Sequence, residues 1–300
     1  MNWKKLGHIF VSDNHNDWMV SHSSNTVAKH LHDDVFRVYF SSRDVNRRSH
    51  ITYIDVDINP PFKILTIAPK PVLCPGEIGT FDDSGTSLSC MITINNKLMM
   101  YYLGWNLGVT VPWRNSIGLA IFNEKRNQFE RFSQAPLLDR NHVDPFSISY
   151  PFVLEDNGIY RMWYGSNLKW GTTQEEMAHL IKYAESKDGI NWERKGGIAL
   201  NFLNDKEYAM SRPFVVKENG LYKMWYSYRG AAYRIGYAES KDATNWERKD
   251  NEVGITVSAD GWDSETVEYP FIFEHKTNRY MLYNGNGYGK TGFGLAILEK

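Results

Sequence analysis

Apolar and polar residues alternate along many short segments of this chain, and one version of the alternation returns at a near-constant interval. The recurring phrase is Met-Trp-Tyr or a close variant. Its apolar anchors, spaced by 62, 62, 62 and 57 residues, are Val38, Met100, Met162, Met224 and Met281. Alternation with period two is typical of a half-buried β-strand, and a fixed long period is typical of a repeat architecture. The pattern predicts five similar units that fill the chain, with the phrase as part of the scaffold.

Turn signals separate the apolar segments within the units. Asn157-Gly158 and Asn219-Gly220 each stand between a short apolar segment and the aromatic phrase, and Asn-Gly is the strongest two-residue hairpin signal. Two units also share a nearly identical segment, at 183–195 and 237–249, which predicts a tight turn followed by a fourth strand. No amphipathic helical period of useful length occurs. We predict an all-β fold, a five-bladed β-propeller with four antiparallel strands per blade.

The unit boundaries predict one domain that spans residues 1–300. The five blades are expected at approximately 20–60, 81–135, 144–195, 206–249 and 263–300. The segment before the first blade is expected to help close the ring.

Charge and composition narrow the class of partner. The formal net charge is −1 and charges of both signs are interspersed, which is not the footprint of a nucleic-acid or anionic-membrane binder. We expect a small-molecule or oligosaccharide substrate, no nucleic-acid partner and no membrane insertion, because no long apolar run occurs. Cys74 and Cys90 could pair, but two reduced thiols are favoured. Reduced thiols and the lack of an apolar leader segment together predict a cytoplasmic protein. The oligomeric state is left open.

Three units share a longer pattern that begins with an aromatic or basic residue followed by Pro-Phe and ends at the aromatic phrase. The matching segments are 150–164, 212–226 and 269–283. In this pattern the chain resembles the five-bladed propellers of glycoside hydrolase families 32, 43, 68 and 130 and their uncharacterised relatives, over residues 20–300. The resemblance implies a carbohydrate-active enzyme that cleaves or transfers a glycosidic bond in a central funnel, although one fold hosts many functions.

The first strand of each propeller blade lines the funnel, so we compared the two residues that precede the Pro position in each unit. These pairs are Asn25-Thr26, Ser87-Leu88, Ser149-Tyr150, Ser211-Arg212 and Glu268-Tyr269. Arg212 and Glu268 break the pattern, so we predict that Arg212 anchors a polar or anionic group and that Glu268 is a general acid with a raised pKa. The alternative is a structural ion pair between them. Substrate contacts are also expected from Asn25, Tyr150 and Tyr269.

Further carboxylates precede the same position. Three of them recur from unit to unit, which predicts a structural role for Asp82, Asp144 and Asp263. Asp83 and Glu265 do not recur, and we predict that one of them pairs with Glu268 for acid/base chemistry, since glycoside hydrolysis uses two carboxyl groups.

The resemblance to families 43 and 32 also implies an early Asp-Pro and a glutamate midway round the ring. Residues 23–27 and Ser149-Tyr150-Pro151 stand at those places instead, so the standard hydrolase machinery is incomplete.

Histidines and aromatics complete the set of candidates. His22, His142 and Trp105 are predicted to contact substrate, whereas the remaining histidines fit no zinc template. We therefore predict no metal site and no cofactor. The leading hypothesis is cleavage, transfer or phosphorolysis of an intracellular oligosaccharide or activated sugar, in surface-polysaccharide metabolism. The alternatives are a non-catalytic sugar-binding propeller, or a different sugar-modifying enzyme on the same scaffold that uses His22 or His142.

Overall fold

The computed structural model describes residues 1–171 and 176–299. The predicted blades at 144–195 and 263–300 include positions 172–175 and 300, which lie outside the described residues. The described chain is almost entirely β-structure, as predicted. The strands are β1 (Trp3–Phe10), β2 (Ser21–His32), β3 (Val35–Arg43), β4 (Ser49–Asp57), β5 (Ile64–Ile67), β6 (Gly85–Ile94), β7 (Lys97–Leu107), β8 (Trp113–Asn123), β9 (Gln128–Arg131), β10 (Ile148–Asp156), β11 (Ile159–Lys169), β12 (Ala178–Ser186), β13 (Trp192–Glu193), β14 (Ile198–Leu200), β15 (Ala209–Glu218), β16 (Leu221–Arg229), β17 (Tyr233–Ser240), β18 (Glu247–Arg248), β19 (Glu268–His275), β20 (Asn278–Asn284) and β21 (Phe293–Leu298).

Consecutive strands pair antiparallel in groups of four. In chain order the groups are β2 to β5, β6 to β9, β10 to β13, β15 to β18, and β19 to β21 completed by β1. The strand β1 pairs with β21, so the first and last described strands lie side by side. Helical structure in the described residues is confined to a 3₁₀ turn at Asp250–Glu252 and one turn at Asn286–Gly289, which we call the 286–289 turn. No helix there is long and apolar enough to cross a membrane.

The aromatic phrase lies in the second strand of each group and is buried on both faces. Met162 and Tyr164 pack into a cluster with the preceding group, whereas Trp163 packs into a cluster with the following group. All three are 0% exposed. A strand whose alternating side chains fill two neighbouring interfaces holds the groups in register. The phrase is therefore core, as its recurrence predicts.

Recurrent aspartates fix the same strands. The hydroxyl groups of Tyr102, Tyr164 and Tyr283 each donate a hydrogen bond of 3.0 Å to one of the predicted structural carboxylates, namely Asp82, Asp144 and Asp263. These three aspartates are almost fully buried, and a buried carboxylate needs such partners. Their predicted structural role is confirmed.

Side chains of the second strands also tie neighbouring groups together near the centre. The backbone N–H of Leu88 donates to Ser41 Oγ at 2.9 Å, and that of Tyr269 donates to Ser227 Oγ at 2.7 Å. The backbone N–H of Asn25 donates to Asn284 Oδ1 at 3.0 Å, which joins the last group to the first. Successive inner strands β2, β6, β10, β15 and β19 contact one another, and β19 contacts β2, so all five share a common centre.

Candidate functional site

Four inner strands share a backbone irregularity at the same register. The ladder with the second strand shifts there, and the residue at the shift has a positive φ: Asn25 (61°), Tyr150 (40°), Arg212 (51°) and Tyr269 (58°). Non-glycine residues adopt this conformation only at a cost, and such bulges re-aim side chains next to functional sites. The repeated strain marks the centre of the five groups as the candidate site.

The ladder corrects the register predicted for the first unit. Val27 is opposite Tyr39, as Phe152 is opposite Trp163, so Asn25 is equivalent to Tyr150 rather than to Ser149. The cause is a second bulge in β2 between His30 and His32, which adds one residue to the first hairpin. The predicted pair Asn25-Thr26 was therefore wrong by one position, and Ser24-Asn25 is the true pair.

Glu268 is the carboxyl group at the centre of this site. It is 0% exposed, and its Oε1 accepts hydrogen bonds from the backbone N–H of Tyr288 at 2.9 Å and from Thr266 Oγ1 at 3.3 Å. Its Oε2 has no hydrogen-bond partner within the described chain. Burial raises the pKa of Glu268 to about 8, opposed by these two hydrogen bonds, by the charge of Arg229 and by the nearby hydroxyl group of Tyr269. A carboxyl group with this pKa carries a proton at neutral pH.

Four tyrosines surround this carboxyl group, and we call them the tyrosine cluster. Its members are Tyr150, Tyr233, Tyr269 and Tyr288. The ring of Tyr269 lies 6.1 Å from that of Tyr150 and 6.0 Å from that of Tyr233, which in turn lies 5.8 Å from that of Tyr288. Burial raises the pKa of Tyr150, Tyr233 and Tyr269. These phenols stay neutral in the range where Glu268 titrates.

Arg212 reaches across the centre and bonds to backbone rather than to a carboxylate. Its Nη1 donates to the carbonyl oxygens of Leu88 at 3.0 Å and of Ser89, and its Nη2 donates to that of Thr26 at 3.1 Å. The guanidinium thus ties β15 to β6 and β2. Its Nε is buried and has no hydrogen-bond partner in the part of the chain that the structure describes. No ion pair joins Arg212 to Glu268 in the described structure, so the alternative prediction of a structural ion pair is wrong. Both terminal nitrogens of the guanidinium group serve the fold.

Two more arginines flank the tyrosine cluster. Arg43 lies within electrostatic range of Tyr150, Tyr269 and Tyr288, and Arg229 donates a hydrogen bond to Tyr288 Oη. Like Arg212, neither forms an ion pair with a carboxylate of residues 1–171 or 176–299. Three arginines without counter-charge, beside a protonated Glu268, leave the site cationic.

Sequence reasoning missed Arg43 and Arg229, although a signal was present. Both stand five residues after the apolar anchor of their unit, at the end of the second strand. The residues at this offset in the five units are Arg43, Trp105, Asn167, Arg229 and Asn286. Comparing the five units at positions after the aromatic phrase, as well as before it, would have singled out the two arginines.

The other two predicted acid/base residues make local contacts of their own. Asp83 accepts hydrogen bonds from the backbone N–H of Gly79 at 3.0 Å and from Ser84 Oγ at 2.9 Å, so both of its oxygens serve its own loop. Glu265 is exposed, and its backbone carbonyl accepts a hydrogen bond from Arg234 at 2.9 Å. Among the described residues, no contact joins either carboxylate to Glu268.

The remaining predicted substrate residues divide between the centre and its surroundings. His22 is half-buried, and burial, assisted by the charges of Arg43 and Lys290, lowers its pKa to about 4. His142 is exposed to solvent. Trp105 is half-buried and donates from Nε1 to Ser49 Oγ at 2.8 Å. In the described residues, no group of three or more His, Cys, Asp or Glu side chains could hold a metal ion.

The fold is that of known carbohydrate-active proteins. A glycoside hydrolase matches with a TM-score of 0.74 and 17% identity, over 98% of this chain and 90% of that chain. A thermostable family-43 glycoside hydrolase matches with 0.66 and 16%, over 94% and 90%. A structure from the glycoside hydrolase family 130 of mannoside phosphorylases matches with 0.68 and 16%, over 99% and 94%. The protein is a glycoside hydrolase-like β-propeller.

Sequence comparison assigns the family. The chain is 47% identical over 299 residues to uncharacterized protein Rv1502 of Mycobacterium tuberculosis, with all of both chains covered, and it belongs to the family of that protein. It is also 30% identical over 169 residues to a 1,2-β-oligomannan phosphorylase of Thermoanaerobacter sp., which covers 52% of each chain. No family model matches.

Proposed function

We propose that this protein is a carbohydrate-active enzyme in which Glu268 acts as general acid on a glycosidic bond. The five strand groups would be the five blades of one propeller, and the tyrosine cluster would lie in its funnel. The observation that carries the proposal is the burial of Glu268, which raises the pKa of its carboxyl group to about 8, together with an Oε2 that makes no hydrogen bond within the described residues. Protonation of a leaving-group oxygen requires a carboxyl group in this state.

Phosphorolysis fits the site better than hydrolysis. Hydrolysis uses a second carboxylate as base or nucleophile, whereas both oxygens of Asp83 accept hydrogen bonds from its own loop and Glu265 is exposed. An inorganic phosphate oxygen would instead attack the anomeric carbon, while the carbon–oxygen bond breaks and Glu268 passes its proton to the departing hydroxyl group. The products would be a sugar 1-phosphate and a shortened saccharide. Arg43, Arg229 and the free Nε of Arg212 supply the positive charge that a phosphate needs.

The relative from Thermoanaerobacter suggests the first substrate to test, a β-1,2-linked manno-oligosaccharide. The purified protein would be incubated with it, with and without inorganic phosphate, and sugar phosphate and reducing ends would be measured. We expect phosphate-dependent turnover that Glu268→Gln abolishes and that Glu247→Gln, an exposed change on β18, leaves intact. Turnover unaffected by Glu268→Gln would refute the assignment.

The non-catalytic alternative makes a different prediction for the same variants. A sugar-binding propeller would show saccharide binding by calorimetry without turnover by the wild-type protein.

We further propose that the substrate is an intracellular oligosaccharide or activated sugar of surface-polysaccharide metabolism and that the protein acts in the cytoplasm. Support comes from Cys74 and Cys90, which are both free thiols. Fractionation of the native cells would test the compartment.

A further inference from the structure

The loop that holds Glu268 is itself held by a cation. Tyr288 lies in the 286–289 turn with φ of 62°, next to Gly287 with φ of 67°. Its backbone N–H bonds to Glu268 Oε1, whereas its side-chain hydroxyl accepts a hydrogen bond from Arg229 Nη1. One residue in a strained conformation thus contacts both the carboxyl group and the arginine.

Arg229 is fixed by aromatic rings rather than by an acid. Its guanidinium carbon lies 5.4 Å from the ring centroid of Tyr208, 5.5 Å from that of Tyr233 and 5.8 Å from that of Tyr288. Planar guanidinium groups stack well on such faces. Its buried Nε has no hydrogen-bond partner within the described chain. The charge is therefore placed close to Glu268 without being neutralised by an ion pair.

We propose that Arg229 and Tyr288 are positioning residues for Glu268: the caged arginine holds the 286–289 turn, the turn fixes Oε1, and Oε2 is left to face the reacting oxygen. Arg229 also stabilises the carboxylate that remains once the proton has left. This inference rests on the proposed role of Glu268, but its test needs no turnover.

The groups that face Glu268 define what can move its titration. They are Tyr269 on its own strand, Tyr233 on β17, Tyr150 on β10, Tyr288 in the turn, and Arg229 at the end of β16. Arg229 is the one charged residue in this set. Removing its charge should therefore raise the pKa of Glu268, whereas removing a cation away from the tyrosine cluster should not; Arg43 and Arg212 also flank that cluster and are left unchanged.

The experiment is a pH titration of the Glu268 carboxyl group by infrared difference spectroscopy, with Glu268→Gln as the subtraction reference. The carbonyl band of the protonated acid should disappear with a midpoint near pH 8 in the wild-type protein. In Arg229→Met the midpoint should rise by about one pH unit. Arg229→Lys should restore much of the shift, and Arg234→Met, which removes a neighbouring cation bonded to backbone carbonyls, should leave it unchanged.

A second variant keeps the inference falsifiable if Arg229→Met does not fold. Tyr288→Phe removes only the hydroxyl group that anchors Arg229 and keeps the backbone bond to Glu268. It should raise the midpoint in the same direction by a smaller amount. An unchanged midpoint in a folded Arg229→Met or, failing that, in Tyr288→Phe overturns the inference. A shifted midpoint in a protein without glycosidic turnover would retain the inference and reject the proposed function instead.

Discussion

Replacing Glu268 by Gln should stabilise the protein in a pH-dependent way. The folded state raises the pKa of this carboxyl group from its ordinary value of 4.5 to about 8. Below pH 4.5 the group is protonated whether the chain is folded or unfolded, so it costs nothing. Between pH 4.5 and 8 the unfolded chain releases the proton and the folded chain keeps it. Stability is therefore lost as the pH rises through this window.

The magnitude follows from the size of the shift. Each unit of pKa corresponds to about 1.4 kcal/mol, so at pH 7 wild-type Glu268 lowers the free energy of unfolding by about 3 kcal/mol, and above pH 8 by about 5 kcal/mol. Gln has no such penalty, because its neutral amide can still accept the hydrogen bond from Tyr288. For a chain of 300 residues, 3 kcal/mol corresponds to an increase in Tm of about 5 °C.

Urea unfolding of the wild-type protein and Glu268→Gln between pH 4.5 and 8.5 measures this difference. We expect the variant to gain stability over the wild-type protein steadily as the pH rises. Any pH-independent effect of the amide group on stability shifts the free energy of unfolding equally at every pH. It therefore leaves the pH dependence of the difference unchanged. Glu247→Gln, at an exposed site, should track the wild-type protein. A difference between Glu268→Gln and wild type that is constant across the range would refute the idea that the folded site holds a proton on Glu268.

Three further predictions concern other parts of the site and its support. Arg212→Met should lower the free energy of unfolding by about 3 kcal/mol or more in urea, because it leaves three buried carbonyl oxygens without their hydrogen-bond donor. Lost ligand binding at unchanged stability would instead favour the role predicted from the sequence, in which Arg212 anchors the substrate. His22 should titrate near pH 4 by NMR, with stability lost as the pH falls from 6.5 towards 4 because the unfolded imidazole binds a proton first; a midpoint near 6.5 would contradict its burial. Tyr164→Phe should cost about 1–2 kcal/mol in the same urea assay, because it removes the hydrogen bond to Asp144, whereas an unchanged midpoint would show that bond to be dispensable.

The fold was predictable because its signals are local and repeated. Asn157-Gly158 and Asn219-Gly220 both adopt the positive φ values that their hairpins require, at 55°, 76°, 51° and 79°. The aromatic phrase gave the period, and its burial on both faces explains why it recurs. Glu268 also stood out in the sequence, because a carboxyl group replaces serine at a repeated position, and its catalytic role stays a prediction.

The remaining parts of the site depend on features that leave no mark in residue type. The bulge between His30 and His32 shifts the register of the first unit, and this segment contains no glycine or proline from which the bulge could be predicted. Arg212 binds backbone carbonyl oxygens, which every residue possesses, so its partners could not be read from their side chains. The pairing expected for Asp83 and Glu265 stays a prediction, because sequence spacing alone does not encode how their loops bond one carboxylate and expose the other.

The pairing of β1 with β21 has a consequence for how the protein matures in the cell. Two residues far apart in sequence, Asn25 and Asn284, meet at the centre, and the group that contains Glu268 needs β1 to complete it. The ribosome must release every residue from β1 to β21 before that group can assemble. Newly made chains therefore pass through a stage with an open seam and exposed strand edges, during which chaperones have the most to protect.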